Sequence, residues 1–358
     1  MWRYHKTGPF LSSNILVVDP VYSKRHKIAT NLFQMANKVY LDGSSLSPEV
    51  LVKLQDFEAQ LDLSEEAWSN VRKSRQVIDK VNLVYDLVNF SYTSICDSKL
   101  TGKLYLYNMV FEVLDEGRTV YGINTGFGKF CRVLISPDKL QDLQFNLITS
   151  HACGVGPDLS PQRARTLMAL RINILAKGFS GISCETLQQM IDAFNAGIVS
   201  QVPEQGTVGA SGDLAPLAHI ALGLCGIGDV YSNDLGDYFS LYLIVIIFLC
   251  SGITEADKVL EHHNLKPLKL KPKEGLALIN GTQFISSLGS EALIRAELVA
   301  NTADVIAALS FEGLMGFSIA FDPRVHAAKN HKGQRKVAKT IRSLTRNKHQ
   351  TRNELHTK

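Results

Sequence analysis

The sequence predicts a mainly α-helical protein organised around one long central helix, and three observations carry that expectation. Serine–proline pairs stand where helices should begin, two stretches of helical period are each closed by a glycine, and a proline-free run extends from Thr282 to Leu314. Ser47-Pro48, Ser136-Pro137 and Ser160-Pro161 each offer an N-cap hydroxyl followed by a proline at the first helical position, where its missing N–H is no loss.

Between Pro161 and Lys177, residues Leu167, Leu170, Ile174 and Leu175 recur at helical spacing, and Gly178 ends the run. Ser183 then caps a second stretch, Cys184 to Ala196, which stops at Gly197, so the two predict a helical hairpin. In the run from Thr282 to Leu314, Leu288, Leu293, Leu298, Val305 and Leu309 spread around the helix instead of lining one seam. Such a helix belongs in the middle of a bundle. Residues 82–113 and 229–253 fit this helical pattern poorly; they are richer in Tyr, Phe and β-branched residues and read as insertions. No fixed-period repeat and no low-complexity linker divides the chain.

With 358 residues, 45% of them hydrophobic, the chain can bury a sizeable core. Its six cysteines, Cys96, Cys131, Cys153, Cys184, Cys225 and Cys250, form no C-x-x-C pair and no zinc-ligand spacing, which predicts free buried thiols in a reducing compartment. The net charge of +4 conceals an asymmetry: residues 329–358 hold ten Lys/Arg and one acidic residue, while the body carries 28 basic and 33 acidic residues. A basic tail can attract nucleic acid, but no aromatic interleaving or binding motif accompanies it, and a solvated end is the plainer reading. The amino terminus has no small-residue cleavage site after its short apolar run, which argues against a signal peptide. The unbroken apolar core from Leu241 to Cys250 falls short of the roughly 20 residues needed to span a membrane. It is expected to be a buried or inserted segment.

Two glycine-rich loops remain. "YGINTGFGKF", from Tyr121, invites a phosphate-loop reading, but Gly122 and Gly128 enclose five residues where that loop needs about four, and Phe130 stands where a magnesium-holding hydroxyl should be. Its glycines suit close backbone approach, leaving Tyr121 as the useful side chain; a turn with a packed aromatic is the alternative. "GTVGASGDLAPLAH", from Gly206, departs from a nucleophile elbow because Asp213 replaces the last glycine, and His219 lies on the following helix as an ordinary core or interface histidine. A backbone reaction fits better. In a tight loop the amide nitrogen of Gly212, unhindered by a Cβ, can attack the carbonyl carbon of Ala210; ring closure releases one water. Loss of the Ser211 hydroxyl as a second water leaves a methylidene-imidazolone, an electrophile with no added cofactor. Asp213 would then sit where an anion and a helix N-terminus stabilise each other.

These residues resemble the electrophile loop of the aromatic amino acid ammonia-lyases, and in particular the members that use histidine. Further stretches agree in the family's order: "VYGINTGFGKF" from Val120, "SHACGVG" from Ser150, "ALRINILAKGFSGIS" from Ala169, "LKPKEGLALINGTQ" from Leu270 and, more loosely, "FDPRVHAAKNHKGQ" from Phe321. Together they cover residues 41–81, 114–228 and 254–344.

The resemblance implies an ammonia-lyase fold with a long central helix bundle, and elimination of ammonia from L-histidine to give trans-urocanate. Ala210, Ser211 and Gly212 would form 4-methylidene-imidazol-5-one autocatalytically, with no external cofactor and no metal. By position in the motifs, Tyr121 corresponds to the family's active-site tyrosine, His151 to its substrate-side histidine and Asn280 to the asparagine that holds the electrophile and the substrate, with Asp213 and Gln283 in support. Read without the resemblance, His151 is a helix-end histidine and Asn280 a turn residue. A cytoplasmic homotetramer is implied, with no nucleic-acid or membrane partner.

The family extends well past this chain's end, so the fold is expected to be truncated on its carboxy-terminal side. The expected organisation is an unmatched segment over 1–40, an amino-terminal lyase region over 41–228 containing the insertion at 82–113, an apolar insertion at 229–253, the start of the bundle over 254–344 and a basic tail over 345–358. A non-catalytic fragment that joins full-length subunits, and a tyrosine or phenylalanine ammonia-lyase, remain as alternatives.

Overall fold

A computed structural model describes residues 37–94, 120–210, 212–232 and 253–345. The chain divides into two compact units, Met1–Phe284 and Ile285–Lys358.

The first unit begins with a parallel strand pair, β1 (Lys38–Leu41) and β2 (Gln60–Leu63), in register from Lys38 opposite Gln60 to Leu41 opposite Leu63. The connection between them carries α1 (Pro48–Gln55), whose N-cap Ser47 accepts from the Val50 amide at 3.4 Å. Helix α2 (Glu65–Ser94) follows and runs on through residues 82–94. Residues 82–94, expected to fit the helical pattern poorly, are thus helical, because their Tyr, Phe and β-branched residues reduce helix propensity only slightly. The remainder, 95–113, lies outside the described residues.

Ser136-Pro137 opens a 3₁₀ turn, Pro137–Lys139, which leads into α3 (Leu140–His151). After strand β3 (Val155–Asp158) come the two helices of the expected hairpin, α4 (Pro161–Ala176) and α5 (Cys184–Asn195). Both caps are as the sequence predicts: Ser160 Oγ accepts from Arg163 N at 3.4 Å and Ser183 Oγ from Thr186 N at 3.2 Å. Gly178, at φ +73°, ends α4 in the left-handed region. A Cβ there would lie 2.5 Å from the Asn70 carbonyl carbon, so the same glycine lets the turn rest against α2.

Helix α4 is the centre of this unit. Leu167, Met168, Ile172 and Leu175 are completely buried, and so are two cations, Arg165 and Arg171, each 2% exposed. Arg165 lies between the Phe57 ring at 4.1 Å and the Phe194 ring at 3.6 Å. Its Nε donates to Leu54 O at 2.7 Å and its Nη1 to Phe194 O at 2.5 Å, tying together the last turns of α1 and α5, where the helix dipole favours a cation. Burial pulls its pKa down to about 9, which leaves it charged at neutral pH. Arg165→Met keeps the stem but takes from Leu54 O its guanidinium donor, leaves Phe194 O with its backbone donor Gly197 N alone and empties the aromatic sandwich; a loss of about 2–4 kcal/mol is expected. A urea midpoint unchanged from the parent would contradict this.

Strands β4 (Val199–Ser200) and β5 (Pro203–Gln205) precede α6 (Leu214–Leu224), and β3 pairs antiparallel with β5. β6 (Asp229–Tyr231) pairs antiparallel with both β4 and β7 (Ile253–Glu255), so the chain on either side of the apolar segment is stapled at Asp229 opposite Glu255. The apolar run from Leu241 to Cys250 lies outside the described residues. Helices α7 (Ala256–His262) and α8 (Glu274–Ile279) complete the unit, and α3, α6 and α8 pack on one another.

The expected long helix is α9 (Gln283–Gly313). In the second unit Leu293, Leu298, Val305 and Leu309 on this helix are exposed, unlike the buried bundle positions that their pattern predicts. Helix α10 (Pro323–Ala327) is capped by Asp322, whose carboxylate pairs with Arg324 at 2.9 Å, and α11 (Lys332–Leu344) sends Arg342 Nη1 to Phe321 O at 2.7 Å.

Among the described residues no helix is long and apolar enough to cross a membrane. The thiols differ from expectation: Cys131 and Cys153 are exposed, Cys184 and Cys225 are half-buried, and all four are unbridged. Cys131 and Cys153 fall in turn segments, where small side chains need no core position.

Candidate active site

The loop after β5 folds back on itself before α6 begins. Thr207 Oγ1 accepts from the Gly209 amide at 3.1 Å and donates to Asp213 Oδ1 at 2.9 Å, while Gly209 takes φ +67°. One hydroxyl thus joins both shoulders of the loop. Asp213 is completely buried at the N-cap of α6, yet its carboxylate accepts from Thr207 and makes no capping bond to the helix. Its own amide donates to Gly281 O at 2.7 Å. Ala210 is exposed and Gly212 half-buried; Ser211 lies outside the described residues.

The segment that receives the loop is the turn after α8. Asn280, exposed at the C-cap, has its Oδ1 3.8 Å from where a Cβ on Gly212 would stand, with Leu214 Cγ at 3.9 Å. Chain neighbours aside, no other atom of the described residues comes within 4 Å of that point. The loop is thus anchored upstream through Thr207 and downstream at Asp213 N.

Helix α8 is short, and buried polar groups hold it in place. Glu274, fully buried in its first turn, accepts from Ser183 N at 3.0 Å and Lys271 N at 2.7 Å. Gln144 Oε1 accepts from Gly275 N at 3.0 Å. At the other end Arg171 donates from Nη1 to Gln283 Oε1 at 2.7 Å and from Nη2 to Ala277 O.

Tyr121 belongs to the opposite end of this helix. Its carbonyl accepts from Lys273 Nζ at 3.3 Å, that ammonium lies 6.0 Å from its ring, and its hydroxyl accepts from Gly128 N at 3.3 Å. Lys273 caps α8 at φ +77°, a left-handed backbone for a side-chain-bearing residue, and burial lowers its pKa.

His151 ends α3. Its Nδ1 meets Leu147 O at 2.7 Å, and because a carbonyl only accepts, Nδ1 carries a proton, which in the neutral ring leaves the lone pair on Nε2. Among the described residues neither His151 nor Tyr121 hydrogen-bonds to Gly212, Asp213 or Asn280. His219 ties the region together differently: its Nε2 accepts from Gly154 N at 3.1 Å, fixing α6 to the chain just after His151. It is a satisfied structural histidine.

That bond exists only while His219 is neutral. Burial lowers its folded pKa, partly opposed by Asp158, so the native state binds fewer protons than the unfolded chain in mildly acidic solution. The contribution is complete above the unfolded value of about 6.5 and fades as pH falls through the depressed folded value. Denaturation midpoints between about pH 7.5 and 5 should fall, and the slope should shrink in His219→Gln; an equal slope in both would exclude this histidine as the source.

The profile of the aromatic amino acid lyase family matches residues 105–357. The chain belongs to that family. Among aromatic amino acid lyases, it is 49% identical to the histidine ammonia-lyase of Mus musculus over 311 residues, which is 87% of this chain and 40% of that relative. It is 39% identical to the Myxococcus xanthus histidine ammonia-lyase, covering 86% of this chain and 51% of the other. The solved histidine ammonia-lyase of Trypanosoma cruzi aligns with a TM-score of 0.67 at 40% identity, over 85% of this chain and 50% of that one. A tyrosine aminomutase follows at 29% identity and TM-score 0.66. The chain spans about 40–50% of the length of these histidine ammonia-lyases.

Sequence reasoning missed Arg171, Gln144, Glu274 and Lys273. A cation between Leu170 and Ile172 in an apolar helix was the one visible signal, since a charge facing a core marks a buried polar partner.

Proposed function

We propose that this chain carries the electrophile-forming half of a site that eliminates ammonia from L-histidine to give trans-urocanate. The observation that bears most weight is the bond from Asp213 N to Gly281 O, which keeps Gly212, the last residue of the tripeptide, beside Asn280. The names of the relatives supply the substrate, and the loop supplies the chemistry.

An imidazolone formed from Ala210, Ser211 and Gly212 would provide an electrophilic methylene that assists departure of the amine. Asn280 would hold its rim and orient the substrate amine or carboxylate with its amide. His151 offers the Nε2 lone pair to an imidazole N–H of the substrate. Tyr121 would move a proton at its phenolic oxygen. Asp213 and Gln283 position the loop. Exposed apolar residues along α9 support assembly into a homotetramer, because a helix apolar around its girth needs covering.

Mass spectrometry of the purified chain should show the Ser211 peptide lighter by two waters, and ultraviolet absorbance should report urocanate from L-histidine in preference to tyrosine or phenylalanine. A folded preparation with the full peptide mass would end the electrophile assignment. A light peptide without turnover would leave the non-catalytic alternative for this chain.

A further inference from the structure

We infer that Arg171, which no motif assigns to the site, is a positioning residue that holds the Asn280–Gly281 turn under the electrophile loop. The inference deepens the function proposed above and rests on it for its chemical readout alone.

The guanidinium reaches both ends of one short segment. Nη2 donates to Ala277 O before the turn and Nη1 to Gln283 Oε1 after it, so a single rigid fork brackets residues 278–282. Within the bracket lie the two groups that face the loop: Asn280 Oδ1, near Gly212, and Gly281 O, which receives the Asp213 amide at 2.7 Å. A Cβ on Gly281 would overlap Arg171 Nη1 itself, so the turn rests on the arginine.

The arginine is an expensive way to hold a turn. It is 2% exposed, its Nε has no partner, and among the described residues no carboxylate pairs with it. A cation in such surroundings gives up its hydration for two neutral acceptors, which hydrophobic packing at the same position would not require. Burial lowers its pKa to about 10, still charged at neutral pH. What the guanidinium provides that an apolar side chain cannot is fixed geometry at two acceptors separated by the turn. The chain from Arg171 to Gly281 to Asp213 places the loop's trailing end, and any displacement of the turn would move the carboxamide of Asn280 with it.

The test compares the parent with Arg171→Met, which matches the stem and removes the fork, and Arg171→Lys, which retains charge without bidentate reach. Gln283→Ala, which removes one acceptor and leaves the arginine, serves if neither of those folds. Hydrogen exchange at Asp213 N is read against amides in α5 that report general stability. Exchange at Asp213 should rise at least about tenfold more than in α5 in Arg171→Met and in Arg171→Lys, and by a smaller excess in Gln283→Ala. The two-water deficit of the Ser211 peptide should fall in parallel. An Asp213 amide that changes only as α5 does, or a folded Arg171→Met chain with the parent's mass deficit, would overturn the inference. Should the parent show no deficit, the electrophile reading fails separately and exchange at Asp213 still decides the role of Arg171.

Discussion

A Ser211→Ala chain is expected to fold like the parent, lose at most one water and show turnover reduced by on the order of 10⁴-fold or more. Ring closure between Gly212 N and the Ala210 carbonyl carbon releases a water whatever the middle residue is. The second water can come only from the Ser211 hydroxyl, and without it there is no alkene to act as electrophile. Stability should be nearly untouched, within about 0.5 kcal/mol, because the preceding Ala210 is exposed and the loop's anchors are Thr207 and Asp213. Intact mass, urea midpoint and urocanate absorbance on the same sample separate these effects. A Ser211→Ala chain that still loses two waters, or still makes urocanate at the parent's rate, would contradict the assignment.

The second large effect is expected at Gly281. An added methyl would overlap Gln283 Oε1 and Arg171 Nη1. Both atoms end flexible side chains and could swing aside, but only by breaking the 2.7 Å bond that joins them in a buried site. Gly281→Ala should therefore cost about 1–3 kcal/mol and displace the carbonyl that holds Asp213 N. Gly289→Ala is the matched control: it lies within α9 with nothing inside 4 Å of the new methyl, and is expected to stabilise by about 0.5–1 kcal/mol. Equal and opposite effects are not needed, only opposite signs in the denaturation midpoint. Gly281→Ala with the parent's midpoint and mass deficit would show that the turn tolerates displacement.

What the sequence made legible was local. Ser160 and Ser183 announce their helices because cap and proline act within a few residues, and α9 runs from Gln283 to Gly313 within a residue of the expected Thr282–Leu314. The electrophile proposal could be framed from sequence for the same reason, since the chemistry would involve three consecutive residues. Arg171, Gln144 and Glu274 were not. Each acts through a partner far along the chain, Gln283, Gly275 and Ser183 respectively, and a single sequence carries no mark of such pairings. Residues 82–94 misled because aromatic and β-branched content suggested a departure from helix where the preceding helix simply continues. Asp213 stands where the sequence places it, but its carboxylate serves Thr207, a partner upstream in the loop, and leaves the helix amides to others.

Helix α8 has six residues, too few to persist in water without tertiary support. Its stability is borrowed from Gln144, Arg171 and the Ser183 amide that Glu274 accepts from, so the contact between Gly281 and Asp213 arises only once those distant parts of the chain have assembled. With the ring chemistry proposed above, dehydration would then write that event into the covalent structure. A chain denatured afterwards would remain lighter than one that had never folded, and the ratio of light to heavy chains in a preparation would count past foldings, independently of how stable the protein is at the moment it is weighed.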